Sequence, residues 1–381
     1  MKLRDKLLIS GYFKEYYYKN ARNVVEAIRD LESREFAYID FDGIMKRHIA
    51  LNADSAEKWI IETCPKDLYH SSAYYLFPDK EMGMKDWQGG DLIFDIDLDH
   101  LKNYKPNEII LCKEGDEIRL ASDEDECEEK DYTKVIFIDE EGILHAKRET
   151  VRLIEILVRD FDFKPEDIKI FFSGGRGFHI HIYREDILDY DSYIRMELKD
   201  YITLDGFDIA NILTYDCRAI DEMRKFISTN DEIVRQLFSP NEIRVITDIL
   251  RSKPSVRKLR NILNKGLRDK INRFVTDYIG VSIDGVVTVD TSRLIRAPYS
   301  LHGKTGLIKT AVNYENLDDF NPFIDAVRED ESMMELNIIY MPEVYWYNDT
   351  YGPYQNERAI VPFSLGIYLI SGGLGYGGKR L

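Results

Sequence analysis

The run Asp91-Leu92-Ile93-Phe94-Asp95-Ile96-Asp97-Leu98-Asp99 interleaves carboxylates with large apolar and β-branched side chains. Such a run fits a strand and little else. Successive strand side chains point to opposite faces, so Phe94, Ile96 and Leu98 enter a core while Asp95 and Asp97 project together from the other side. Two ionised carboxylates that close repel each other. Divalent cations between them would relieve the repulsion, since carboxylate oxygens hold Mg²⁺ or Mn²⁺ and these ions also bind phosphates. The plain alternative is a solvated Asp pair on an exposed strand face, the commoner fate of an isolated Asp-x-Asp.

The rest of the chain has to decide. Its 381 residues, 44% of them hydrophobic, can bury the core of one large domain with an insertion or of two ordinary domains. No apolar run nears the roughly 20 residues of a membrane helix, and the charged start MKLRDKLLISGYFKEYYYKN lacks a small-residue cleavage site, so a cytoplasmic protein is expected. Cys64, Cys112, Cys127 and Cys217 contain no C-x-x-C pair, which argues against a disulfide framework or a standard zinc knuckle and predicts reduced thiols.

A net charge of −17 would disfavour a nucleic-acid partner if it were evenly spread. It is not. Residues 114–131 read EGDEIRLASDEDECEEKD, expected as a solvated acidic loop or hairpin, whereas residues 251–273 read RSKPSVRKLRNILNKGLRDKINR, with Asp269 as their only acid. A basic helical stretch is usually a solvated face. It becomes a phosphate-contacting surface only where a polymer substrate is indicated elsewhere.

Periodicity gives an α/β chain. Helical spacing covers the first 31 residues; strands are expected at 34–40 and 45–51 around an Asp42-Gly43 turn, at 69–77 and at 168–172, with a helix between 151 and 161. Residues 185–275 read as mostly helical and polar, an insertion between two parts of the core. Strand character is expected again at 281–289, an acidic helix at 325–336, and a mobile Gly-rich end, SGGLGYGGKRL.

Two further segments carry chemistry. In Phe171-Phe172-Ser173-Gly174-Gly175-Arg176-Gly177-Phe178-His179-Ile180-His181-Ile182-Tyr183, a strand enters a Gly-rich turn and a second strand leaves it with His179 and His181 on one face. Glycines admit a ligand close to the backbone, and Arg176 with His179 offers donors for phosphate oxygens. A Gly-rich hairpin is as often only a hairpin, and His181 is expected to be the structural one of the pair. The segment 283–306 supplies acids at Asp284 and Asp290, then Arg296, His302 and Lys304 around a Pro-containing turn. Carboxylates that bind metal, together with cations that hold phosphate, are what nucleotidyl transfer requires.

In order and spacing, LIFDID, the Ser-Gly-Gly-Arg-Gly-Phe-His turn from Ser173 and RLIRAPYSLHGKTG from Arg293 resemble the three motifs of the archaeal and eukaryotic-type DNA primase small catalytic subunit, and Arg34-Glu35-Phe36 resembles a further signature. The resemblance spans residues 34–306. It implies a prim-pol core with an RRM-like sheet at 1–185 and 276–381, a helical subdomain inserted at 186–275, and a nucleotidyltransferase that makes primers on single-stranded DNA from nucleoside triphosphates. It leaves open an added DNA polymerase activity. The nearer alternative is a repair or lesion-bypass polymerase of the same superfamily, and the more distant one is a non-catalytic nucleic-acid-binding subunit.

The resemblance also assigns residues. Asp95, Asp97 and Asp284 correspond to the metal-binding acids; Asp284 rather than Asp290 is chosen because seventeen residues separate the family's third acid from the motif histidine, here His302. Ser173, Arg176, His179, Arg296, His302 and Lys304 correspond to positions that hold the triphosphate, and Glu35 and Arg47 to positions near the initiating nucleotide. Mg²⁺ or Mn²⁺ and a large primase subunit are the implied cofactor and partner. The family's zinc module has a poor counterpart, since 104–133 offers only Cys112 and Cys127 with His100 nearby, and an acidic loop or hairpin is expected in its place.

Overall fold

The computed structural model describes residues 3–381 except 115–116, 128–130, 213 and 216, so parts of the acidic block fall outside the described residues. Leu92–Asp97 is a strand, as its alternation requires. It forms the edge of an antiparallel sheet in the order Thr310–Val312, Ile168–Phe172, Gly177–Ile182, Leu92–Asp97. One face of this sheet buries Phe94, Ile96, Phe178 and Ile180 with the apolar side of the helix Glu140–Phe161. Burial of each such side chain contributes about 1.5–3 kcal/mol. The helix starts where the Asp139 carboxylate accepts from the Gly142 N–H and stops at Asp162 in the left-handed region.

A second antiparallel sheet runs Leu294–Arg296, Asp67–Ser71, Phe36–Ile39, Met45–Ile49. Its last two strands are the hairpin expected around Asp42-Gly43, with Gly43 at a φ of 83° that favours glycine. Arg34 joins the two sheets. Its buried guanidinium donates to the Asp91 carboxylate at 2.5 Å, the Tyr74 hydroxyl at 2.7 Å and the carbonyls of Ser71 and Ser72. A charge this deep is tolerated because every donor direction is used. Asp91, at the head of the diagnostic run, is thus a structural residue.

Between the sheets' strands the chain forms helices from Ser192–Thr203 to Lys265–Phe274, which gather Ile220, Met223, Leu259, Ile271 and Phe274 into a separate hydrophobic cluster. The chain returns beside the first sheet through the Val281 N–H, which donates to the Ile202 carbonyl, and the Ser282 N–H, which donates to Glu149.

Four expectations are corrected. Residues 281–289 are not a strand: the Asp284 carboxylate accepts from the Val286 N–H and caps a short helix, Gly285–Val289. Of the segment expected as an acidic helix only Asp325, the last residue of the short helix Pro322–Asp325, is helical, and Met333–Met341 is a strand that buries Met334, Leu336 and Ile338 at a period of two. The Gly-rich end is the strand Gly375–Arg380, anchored where the buried Asp5 carboxylate accepts from the N–H groups of Gly377 and Gly378. Cys112 and Cys127 are not reduced thiols; they form a disulfide within the sheet of Glu117–Ala121, Glu108–Glu114 and Tyr132–Ile136, while Cys64 and Cys217 are free. The pairing was hidden because it crosses a hairpin rather than following a short spacing. No described helix is long and apolar enough to cross a membrane.

Candidate active site

Strand register sets the site. His179 stands opposite Asp95 and Gly177 opposite Asp97, so both acids and His179 share the sheet face away from Phe94 and Phe178. A side chain at Gly177 would overlap the Ile96 carbonyl oxygen. The Asp284 N–H donates to the Asp95 carbonyl at 2.8 Å, which seats the third acid beside the first. His100 faces Asp284, with 3.9 Å from Nε2 to Oδ2.

This carboxylate group is electrostatically unfinished. Burial, then the neighbouring Asp97 and Asp284, push the Asp95 carboxyl up to about 7. Burial also raises Asp97, with Asp99 adding to the shift and Arg176 opposing it. Arg176 lies 3.4 Å from Asp97 and 2.7 Å from Asp99, and the buried Oδ1 of Asp97 has no hydrogen-bond partner. Among the described residues no three His, Cys, Asp or Glu side chains already converge as a cation cage. The fit of a hard cation rests instead on the donor chemistry: oxygen ligands, an unsatisfied Asp97 oxygen, and an Asp95 that favours its proton unless positive charge is supplied. Asp290 is differently employed, accepting from the Ser292 N–H and hydroxyl. Asp290→Ala is therefore expected to keep nucleotide incorporation within about threefold of wild type, in the range of substitutions away from reacting groups; a loss like that of an Asp95 variant would return the third-acid role to Asp290.

Two turns meet across the face. The Ser173 hydroxyl accepts from the N–H groups of Gly175 and Gly177 and shapes the first. The Thr305 hydroxyl donates to the Gly174 carbonyl at 2.6 Å and ties the second turn to it. A Cβ on Gly175 would lie 3.2 Å from His302 Nε2, a measure of how closely the turns approach. The Lys304 N–H donates to His302 Nδ1, which places the imidazole proton on Nε2. Burial, followed by the charges of Arg296, Lys304 and Arg176, lowers the His302 pKa well below its usual value, so at neutral pH this ring is a neutral donor. His179 is held neutral by burial and by Lys309, and its buried Nδ1 has no partner.

The structure does not leave every expected phosphate ligand free. Arg296 donates to Asp67 at 2.6 Å and to the Leu301 carbonyl, so it fixes the turn. Glu35 and Arg47 do come together, on the second sheet: the Glu35 carboxylate accepts from Arg47 Nε and from the His48 N–H, each at 3.1 Å, with Lys85 Nζ at 3.4 Å. Burial would raise the Glu35 pKa, but the Arg47 and His48 hydrogen bonds and the Lys85 charge outweigh it and hold the carboxyl below the ordinary range. His181 is structural, bonded to the Tyr183 hydroxyl and to Lys309 Nζ.

Sequence reasoning missed three residues here. Asp67 accepts from both Arg296 and the Gly303 N–H. The fully buried Lys309 donates to the Arg296 carbonyl, touches His181 and bears electrostatically on Asp95 and His179. Arg293, within the quoted third motif but given no role, is partly exposed and opposes the rise in the Asp95 pKa. Its place directly before the strand Leu294–Arg296 was the one available signal.

The profile of the DNA primase small subunit family matches residues 94–314, a span holding all three acids and both turns. Three curated proteins, each named DNA primase small subunit PriS, are similar over most of their length. That of Picrophilus torridus is 32% identical, with 85% of each chain covered. That of Archaeoglobus fulgidus is 34% identical over 84% of each chain, and that of Nitrosopumilus maritimus is 31% identical over 96% of this chain and 97% of its own.

Proposed function

The chain belongs to the DNA primase small subunit family, and from that premise we propose that it is the catalytic subunit that synthesises primers on single-stranded DNA from nucleoside triphosphates. The observation that supports this most is Asp95 and Asp97 on one strand face, with the Asp284 backbone bonded to Asp95. In the proposed mechanism Asp95, Asp97 and Asp284 hold Mg²⁺ or Mn²⁺, which when bound supplies positive charge at the attacking 3′-oxygen and at the triphosphate.

The chain's own groups do the positioning. His302 presents its Nε2–H and Lys304 its ammonium to phosphate oxygens, while Ser173 keeps the glycine turn open to a close backbone approach. Arg176 is placed to exchange Asp97 for a phosphate oxygen, which would couple triphosphate binding to release of the carboxylate. Arg296 holds the second turn, and His179 fixes the wall beside Asp95, 3.6 Å from its carboxylate. Glu35 orients Arg47 towards the initiating nucleotide. A large primase subunit completes the proposed assembly, in the cytoplasm.

The test is incorporation of labelled nucleotides on an unprimed single-stranded oligonucleotide with Mg²⁺ or Mn²⁺, ribo- and deoxyribonucleotides being supplied separately. Products built from free nucleotides, and lost on chelation, are expected. Extension of supplied 3′ ends alone would make it a repair-type polymerase, and no incorporation would overturn catalysis altogether.

A further inference from the structure

Residues 251–266 form the longest strongly basic segment of this acidic chain, with Arg251, Lys253, Arg257, Lys258, Arg260 and Lys265 and no acid. All six are exposed. They occupy the end of the helix Pro240–Ser252, the helix Val256–Ile262 and the start of Lys265–Phe274, whose apolar residues Leu250, Leu259 and Leu267 enter the helical unit's core.

The cations of this region divide by duty. Arg268 pairs with Asp208 and Lys270 with Glu242, which fastens the helices together. Among the described residues the side chains of Arg251, Arg257, Lys258 and Lys265 make no hydrogen bond or ion pair, although elsewhere on this surface acids commonly take up such groups, as Glu26 does for Arg22 and Glu62 for Lys58. Neither Val256–Ile262 nor Lys265–Phe274 has an acid in its first turn, where the helix dipole favours one, and both begin with cations. Such a charge pattern costs folding stability through mutual repulsion and contributes no contact within the chain.

We propose that this face, centred on Arg251, Arg257 and Lys258, binds the sugar-phosphate backbone of the single-stranded template, outside the nucleotidyl-transfer site. The proposal rests on the primase reading for the identity of the polymer. Charge complementarity carries it: among the described residues Arg251, Arg257, Lys258 and Lys265 are exposed cations without a hydrogen-bond or ion-pair partner, whereas a chain of net charge −17 would elsewhere repel a polyanion. Exposed cations contact phosphates without reading bases, so the contact is independent of template sequence.

The test is the salt dependence of binding of a fluorescent oligothymidylate to the whole chain, followed by anisotropy without nucleotides. Each phosphate neutralised on a single strand contributes about 0.7 to the slope of log affinity against log salt. The variant Arg251→Gln/Arg257→Gln/Lys258→Gln is expected to lower that slope by about 2. A control variant, Arg22→Gln/Lys58→Gln, is expected to keep the wild-type slope. Circular dichroism melting of each variant checks that the helices persist. An unchanged slope in a folded triple variant overturns the surface and leaves the patch to a protein partner. Primer synthesis by wild type in the same preparation keeps the two readings apart: a chain that synthesises but shows no slope change refutes only this surface, and a chain that makes no product refutes the primase reading itself.

Discussion

Asp95→Asn is expected to abolish primer synthesis and, in the absence of divalent cations, to make the protein more stable at pH 8. The catalytic loss should be at least about 10³-fold, roughly 4 kcal/mol of barrier, because on the proposed mechanism a carboxamide would supply no charge toward the metal ion that Asp95, Asp97 and Asp284 would hold. The stability gain follows from burial and from Asp97 and Asp284, which push the folded Asp95 carboxyl up from 3.8 to about 7. Between those values the unfolded chain sheds a proton that the folded chain retains. Stability therefore declines as pH rises through that window and levels off above about 7. Asparagine removes the penalty. The full shift corresponds to about 4 kcal/mol, and with a side chain still 20% exposed we expect about 2 kcal/mol at pH 8 and no difference at pH 4. Thermal melts in chelator at both pH values check this, and added Mg²⁺ should stabilise wild type more than the variant. A variant that still makes primers, or that melts earlier than wild type at pH 8 in chelator, contradicts the role assigned to Asp95.

The second large effect is expected at a residue far from the diagnostic motifs. Asp67 accepts from Arg296 Nη1 at 2.6 Å and from the Gly303 N–H at 2.8 Å, so one buried carboxylate holds both ends of the turn that carries His302. Asp67→Ala leaves the Arg296 guanidinium buried without its counter-charge, a change that costs about 3–5 kcal/mol. The turn would loosen with it, and KM for the nucleotide is expected to rise about 10–100-fold, as for loss of a supporting shell around a site. Asp67→Asn keeps an acceptor oxygen and should recover part of both. Denaturant melts and nucleotide titrations measure the two effects. Equal KM values for wild type and Asp67→Ala would show that the turn is held by other contacts.

The sequence was most legible where physical period and chemistry coincide. Alternation in Leu92–Asp97 and Ile168–Phe172 fixed two strands of the active sheet, and the Gly-rich turn between Ser173 and Gly177 fixed the reversal. The family resemblance pointed to Asp284 rather than Asp290, and the Asp284 N–H donates to the Asp95 carbonyl. What stayed hidden depends on a local cap in one place and on long-range partners in the others. The β-branched run after Asp284 reads as a strand, yet a single carboxylate cap turns it into a helix. The glycines at the end read as mobile, yet Asp5 at the other end of the chain binds them. Asp67 and Lys309 carry no motif at all, because their roles arise only where the two sheets meet. Arg296 and Arg34 were visible as cations, but their buried partners make them fasteners of the fold.

The return of the chain at Val281 and Ser282, directly before Asp284, bears on how activity is acquired during folding. Asp95 and Asp97 lie on one strand and are neighbours as soon as it forms. Asp284 joins them only when the whole helical unit has been threaded and its two ends closed, an encounter at long sequence separation and correspondingly slow. A chain emerging from synthesis or partly unfolded thus carries two of the acids without the third. On the proposed role of Asp284, polymerising activity requires the helical unit to have closed at Val281 and Ser282, and so reports that closure rather than formation of the sheet alone.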